Sequence, residues 1–480
     1  MVGCKIMDGL VTVSQDRSQV KPALAASWDI SPDQLTYTFH LRQNVLWHDG
    51  QPFTSEDVKW SFENLNKLHP VGRFSFDEVR SIDAPDANTV VLHLKEPFAP
   101  LLSTLTCPDG GAISPKHVVA AGVDPKTDKT LNQAPVGTGP FVFKEWIPGD
   151  RIVMTRNPKY WQPDLPYLDQ VVAKVIPDNT TMVQALRAGE INHIYDVYTT
   201  RDDVVRLQSQ NDPNVAILKS ADAPTFDPLL LNVRRGPLSK VEVRRALLQG
   251  LDRDLILKNV FKGLAVIETN MIDSRLAVAA APEVDLQKLY PFDVAAANKL
   301  LDQAGYPRAA DGTRFPLRLS YETGRAEFKD AAEIIRNNWQ ALGVKVQPEP
   351  LERTVMLDRV FAKRDFDVTI QGYASRGDPA LGVARAYMCE SDQNPPTFGN
   401  PSGYCRKDVD ELFQQAARTA DFDKRREVYR QLQKILADDL PLISMIGEEK
   451  VALADKQFDL SGPTSTAFTA SSWETVHKLR

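Results

Sequence analysis

The chain has 480 residues, 42% of them hydrophobic and 25% charged, with a formal net charge of −6. That length exceeds the roughly 250–300 residues at which a single hydrophobic core stops growing, so more than one domain is expected. The mild acidity, with Lys and Arg scattered rather than clustered, disfavours a nucleic-acid or anionic-membrane partner. No apolar run approaches the roughly 20 residues needed to span a bilayer.

Met1-Val2-Gly3-Cys4 has the outline of a lipid-attachment box, but no apolar run precedes Cys4 and a fold element follows at once, so an ordinary cysteine is expected. In Leu35-Thr36-Tyr37-Thr38-Phe39-His40-Leu41-Arg42 the apolar side chains take every odd position, the period of a half-buried strand. Val45-Leu46-Trp47 returns and His48-Asp49-Gly50 turns. Thr54-Ser55-Glu56-Asp57 then forms a capping box, opening a helix with Val58, Phe62 and Leu65 on one stripe. A turn at Pro85-Asp86-Ala87-Asn88 introduces a second alternating strand through Val90, Leu92 and Leu94, and Thr104 to Pro115 reads as a loop. Val136-Gly137-Thr138-Gly139 lacks the Gly-Lys-Ser/Thr of a phosphate loop and runs into Phe141-Val142-Phe143, so it is a tight turn entering a strand.

From Ser239 the periodicity becomes mostly helical. Val241 to Leu251 is one helix, Asp293 caps another that Gly305 ends, and Phe328, Ala332, Ile335, Trp339 and Leu342 trace a third before Gly343. Strands such as Val344-Lys345-Val346 and Phe366-Asp367-Val368-Thr369-Ile370 alternate with these helices. Charged helices at 407–420 and 423–438 follow, and then the apolar Leu442-Ile443-Ser444-Met445-Ile446. The alternation predicts an α/β lobe.

Candidate catalytic chemistry is sparse. The seven histidines include no helical i, i+4 pair for zinc. His48 beside Asp49 has no nucleophile motif with it, and Gly-x-Ser-x-Gly is missing. Asp202-Asp203 and Asp438-Asp439 are sequence neighbours that do not face each other on a helix, which predicts a solvated surface. The informative stretch is Gln371-Gly372-Tyr373-Ala374-Ser375-Arg376-Gly377-Asp378-Pro379, at the carboxyl end of a buried strand, where open α/β folds bind ligands. Asp378-Pro379 reads as a helix N-cap followed by proline at the first helical position. Arg376 has no such structural account.

Trp28, then Tyr37 to Arg42, then Trp47-His48-Asp49-Gly50-Gln51-Pro52-Phe53-Thr54-Ser55-Glu56-Asp57-Val58 closely resemble the signature of the extracellular solute-binding proteins of ABC importers, family 5, the peptide, opine and nickel class. The resemblance covers essentially the whole chain. It implies an α/β, two-lobed, type II periplasmic-binding-protein fold in three domains with a ligand cleft between lobes. Residues 1–10, 134–232 and 459–480 would form domain I, 11–133 an inserted domain II, and 233–458 domain III. The family's first strand, which normally precedes a segment like Ile6 to Leu10, would be missing. The implied function is capture of a small peptide-like or opine-like solute for a membrane permease, without catalysis or cofactor. The protein would work as a periplasmic or extracellular monomer, lipid-anchored if the missing segment carried an anchor. Rival readings are an enzyme or a chaperone-like holdase on the same fold, or a nickel-complex receptor using His48, His93 or His193.

The resemblance also implies site residues. Ligand contacts are expected from Tyr373, Ser375, Arg376, Arg325 and Asn232. Peptide-binding relatives carry an aspartate three residues before the Asp-Pro, as anchor for the peptide's ammonium. Here that position is Ser375, or Arg376 with one residue gapped, and neither is acidic. The loop therefore suits an anionic or hydroxyl-rich ligand, with Arg376 or Arg325 as anchor. The ligand is therefore expected to lack the free-amine recognition typical of dipeptides, with a peptide as the fallback if another acid, such as one from the missing segment, supplies the charge. Four cysteines allow three complete pairings. Cys389 and Cys405 flank a turn-rich loop, much as two cysteines do in the dipeptide-binding branch, and are expected to pair in an oxidising compartment. Cys4 and Cys107 are expected to stay buried thiols.

Overall fold

The alternating stretch near the N-terminus becomes the strand Thr36–Leu41 of the computed structural model, with Tyr37, Phe39 and Leu41 buried. The structure describes residues 3–14, 19–64, 76, 78–119, 123–124, 128, 131, 133–376, 378–389, 399–460 and 471–479. The chain divides into two compact units, one of Met1–Ala223 with Lys450–Arg480 and one of Pro224–Glu449.

In the first unit Thr36–Leu41 lies between Ala25–Ile30 and Thr89–Leu94 in a four-stranded antiparallel sheet completed by Val79–Asp86. Phe39 stands opposite Val90 and Tyr37 opposite Leu92, so the two alternating strands bury one common face. The helix Ser55–Glu63 starts at the predicted capping box. Its Asp57 carboxylate accepts the Thr54 backbone N–H at 3.0 Å, Trp47 Nε1–H at 3.3 Å and the Lys116 backbone N–H at 3.2 Å. One buried acid thus ties the helix start to the preceding turn and to a distant loop. Leu65 lies outside the described residues.

The glycine-rich run is a site of close backbone approach. Gly139 N–H donates to Ile6 O at 2.8 Å, and a Cβ on Gly137 would stand 1.8 Å from the same oxygen. His48 fastens this turn, with Nε2 donating to Gly139 O at 2.9 Å and Nδ1 accepting from Gly137 N–H at 3.2 Å. The strand Phe141–Ile147 follows, in a three-stranded antiparallel sheet with Arg151–Arg156 and Gln170–Lys174.

The cysteines require one correction. Cys4 and Cys107 are not thiols but a disulfide spanning 103 residues, with Cα atoms 5.8 Å apart. The N-terminal segment runs along the loop that holds Cys107: Gly9 bridges to Ala112, and Ile113 N–H donates to Asp8 O at 2.9 Å. Local sequence patterns carry no trace of that contact. Cys389 and Cys405 are bonded as expected, with Cα atoms 4.6 Å apart. Residues 390–398 of the loop between them lie outside the described residues.

The second unit is built on a mixed sheet in the order Leu442–Asp455, Val215–Leu231, Val368–Ile370, Phe315–Glu322, Val344–Leu351. Tyr373–Ala374 adds to Val215–Leu231, and Ala265–Ile267 adds to Leu442–Asp455. The first two strands run from one unit into the other. Phe315–Glu322 and Val344–Leu351 are parallel, which demands a crossover, and the helix Ala326–Gln340 supplies it. Its predicted stripe of Phe328, Ala332, Ile335 and Trp339 is buried, and Trp339 Nε1–H reaches Leu247 O at 2.9 Å on the helix Val241–Gln249. Asp293 caps Val294–Gln303 through the Ala296 N–H at 2.9 Å, and Gly305 takes a φ of +88° just past its end. Lys407–Arg418 and Phe422–Asp439 are the two charged helices. The helix expected after Asp378-Pro379 does not form; turns lead to a single 3-10 turn, Ala384–Ala386. Among the described residues no helix is long and apolar enough to cross a membrane.

Candidate ligand-binding site

Gln371 and Gly372 follow the buried strand Val368–Ile370 and run beside the strand that carries Asp227. Gln371 N–H donates to Pro228 O at 3.1 Å, and Tyr373 stands opposite Phe226. Asp227 interrupts an apolar run, Phe226-Asp227-Pro228-Leu229-Leu230-Leu231, and is fully buried. No N–H or hydroxyl donor among the described residues reaches either of its carboxyl oxygens. Burial, and then the charge of Glu448, push this carboxyl well above the usual carboxylate range, with Arg325 opposing. The two carboxyls, Asp227 and Glu448, compete for the same charge, which favours a proton held between them. Arg325 donates from Nη2 to Glu448 Oε1 and lies over the Phe328 ring, 4.1 Å from its centroid. The Arg325 side chain is 31% exposed and that of Glu448 15%, whereas Asp227 is sealed from solvent.

A second buried cluster lies under Ser375. Its hydroxyl donates to Asp273 Oδ2 at 2.6 Å, and Arg275 holds the same carboxylate through Nε and Nη2, both at 2.9 Å. Arg275 also reaches Glu448 O at 2.8 Å and Thr225 O at 3.2 Å. Glu268, 3.6 Å from Arg275, accepts the Ser274 N–H at 3.0 Å. Burial, and then the Asp273 charge, push the Glu268 carboxyl up to about 8. The position that lacks an acid in the loop thus rests on one from another segment, and that acid is already neutralised by Arg275.

The other expected contacts are more deeply embedded. Tyr373 is fully buried and its hydroxyl donates to Gly399 O at 2.9 Å. Asn232 is buried and donates to Arg364 O and Phe366 O at 3.1 and 3.0 Å, closing the strand end. Arg376 is half-buried with a left-handed φ of +52°.

The first unit holds its own buried charges. Asp8 Oδ2 accepts Trp161 Nε1–H at 2.9 Å and the Thr138 hydroxyl at 3.0 Å, and burial lifts its carboxyl to about 6. Lys5 donates to Ser471 O at 3.0 Å and stands 4.6 Å over the Trp473 ring; burial lowers its amine to about 7. His193 packs edge-on to Tyr195 and Trp473, and burial lowers its imidazole to about 3. His93 stands 3.0 Å from Asp83. Among the described residues no group of three His, Cys, Asp or Glu is placed to hold a metal ion.

Residues 19–394 match the profile of the bacterial extracellular solute-binding proteins, family 5, middle region. The chain belongs to this family. As a family 5 solute-binding protein it serves an ABC transporter of the peptide type, and its work is binding rather than catalysis. It is 28% identical to the dipeptide-binding protein of Escherichia coli K12 over 455 residues, 90% of this chain and 82% of that protein. Among solved structures it is similar to the binding protein AgaA of A. tumefaciens R10 in complex with agropinic acid, with a TM-score of 0.81 and 26% identity over 100% of this chain and 94% of that one. It is similar also to the periplasmic binding protein DppA of Helicobacter pylori in complex with the peptide STSA, with a TM-score of 0.81 and 27% identity over 99% of this chain and 93% of that one. The α/β fold of these binding proteins therefore runs through the whole chain.

In this family 5 protein the structure brings Arg325 and the 371–376 loop into one region of the second unit through Gly372, whose Cβ position lies 3.5 Å from Arg325 Nη1. Sequence reasoning missed Asp227, Glu448, Asp273 and Arg275. One signal for Asp227 was present, a lone charge in an otherwise apolar strand.

Proposed function

We propose that this protein captures an amino-acid-derived solute, a short peptide or an opine-like conjugate, outside the cytoplasmic membrane and delivers it to the permease of its importer. The observation that carries the reading is Arg325. The partly exposed Arg325 side chain is paired with Glu448 and lies close to the buried Asp227, beside a loop at the carboxyl end of a parallel strand. Guanidinium offers a fork of donors to a carboxylate, and the neighbouring acids suit a cationic group, so one small region can read both charges of an amino-acid head group. The ligands named for these relatives, a dipeptide, agropinic acid and a peptide, are of this chemistry. Two disulfides suit an oxidising compartment.

Native mass spectrometry of the purified protein tests the reading, with a co-purified solute of this class as the expected result. A protein that arrives empty, and takes nothing from a library of di- and tripeptides and opines, overturns it.

A further inference from the structure

We infer that the Asp227 carboxyl is the acceptor for a positively charged group of the solute, an ammonium or guanidinium, and that it loses its proton to solvent as that group binds. The inference rests on the solute-binding reading above and names the group recognised. In the step the O–H bond of Asp227 breaks, the proton passes to buffer, and the carboxylate left behind accepts an N–H from the ligand cation, which keeps its own protons.

Three observations converge. Asp227 is fully buried, no N–H or hydroxyl donor reaches either of its oxygens, and its one hydrogen-bonding neighbour is the Glu448 carboxyl, an acid rather than a cation. The charges around it are unbalanced. Glu448 and Glu327 face it together with Arg325; Glu322 lies beyond and is paired with Arg353 at 2.9 Å. Arg275 approaches from the next segment, but its guanidinium is held by Asp273. Arg325 donates to Glu448, so acid remains in excess at Asp227. Finally, Gly372 has no left-handed backbone angle that would call for glycine. A Cβ there would nonetheless stand 2.9 Å from Asp227 Oδ1, 3.4 Å from Thr225 Cγ2 and 3.5 Å from Arg325 Nη1. The half-buried Gly372 therefore sets no side chain against the carboxyl.

Calorimetry with alanyl-alanine, N-acetyl-alanyl-alanine and agmatine, in buffers of different ionisation enthalpy, tests this directly. Binding of the free-amine dipeptide or agmatine should release about one proton, and affinity should rise by up to about tenfold per pH unit while Asp227 is protonated in the free protein. Acetylation should weaken dipeptide binding by about tenfold or more. Asp227→Asn mimics the protonated acid and should melt like the parent. It should abolish proton release, flatten the pH dependence and erase the preference for the free amine. Gly372→Ala should weaken the free-amine probe more than the acetylated one. Equal binding of free and acetylated dipeptide, absence of proton release, or a preference that survives Asp227→Asn would each overturn the inference. A protein that ignores all three probes but carries a neutral or anionic co-purified solute overturns it while leaving the receptor reading intact. One that binds nothing takes down both.

Discussion

Arg425 grips Asp378 with both arms of its guanidinium, Nη1 to Oδ2 at 2.6 Å and Nη2 to Oδ1 at 2.8 Å, while its Nε donates to Ala416 O at 2.7 Å. Both side chains are nearly buried, 8% and 10% exposed, so truncating one leaves the other as an uncompensated interior charge. The pair fixes the end of the 371–378 loop to the helix Phe422–Asp439. Arg425→Ala should cost about 3–5 kcal/mol, and Arg425→Lys, which keeps the charge but not the fork, should fall between it and the parent. Chemical denaturation reads the loss. A change below about 1 kcal/mol for the alanine variant would mean that the pair contributes no more than an exposed one.

What the sequence made legible follows the range of each interaction. The strand Thr36–Leu41, the capped helix Ser55–Glu63 and the helix Ala326–Gln340 announce themselves because their periods and caps lie within a few consecutive residues. The loop at 371–376 was visible for the same reason, as polar residues at the end of an apolar strand. Its supporting partners were not. Ser375 meets Asp273 across 102 positions, and Arg325 meets Glu448 across 123. The Asp378-Pro379 pair looked like a helix start because its local chemistry is that of a cap; its carboxylate does accept the Ala380 N–H at 2.9 Å, but it is also held by the distant Arg425 and only turns follow.

The glycine run shows how a phosphate-loop resemblance can arise from packing alone. Gly137→Ala would push a methyl to 1.8 Å from Ile6 O, a backbone atom that cannot swing aside, whereas at Gly324 the nearest heavy atom is Glu322 Oε1 at 4.0 Å. Gly137→Ala should therefore lower stability by about 1–3 kcal/mol or more, with Gly324→Ala close to neutral. Thermal melts of the two variants side by side settle it. Equal melting would mean that the N-terminal segment does not press on this turn.

The two disulfides should differ in what they contribute. Closing 103 residues removes more freedom from the unfolded chain than closing 16. The chain-entropy model puts the difference at about 4.7 against about 3 kcal/mol. The Cys4→Ser, Cys107→Ser double variant should thus unfold more readily than Cys389→Ser, Cys405→Ser. Peptide mapping without reductant should recover both bridges from protein made in an oxidising compartment. Alkylatable Cys4 or Cys107 in the folded protein would refute the N-terminal bridge.

Buried charges of opposite sign predict opposite pH slopes. Glu268 in the second unit has its carboxyl raised by burial from 4.5 to about 8. Between those values the unfolded chain has lost a proton that the folded protein keeps, so this group makes stability fall as pH rises. Lys5 in the first unit has its amine lowered by burial from 10.5 to about 7. Between those values the unfolded chain holds a proton that the folded protein has lost, so this group makes stability rise with pH. Each slope is bounded at about 1.4 kcal/mol per pH unit. Glu268→Gln should therefore gain stability relative to the parent as pH climbs from about 4.5 towards 8, and Lys5→Met should lose its advantage as pH climbs from about 7 towards 10.5. Denaturant titrations of the parent and both variants across this range test the signs. Parallel curves for Glu268→Gln and parent would show that Glu268 is already ionised in the folded state, held so by Arg275 at 3.6 Å.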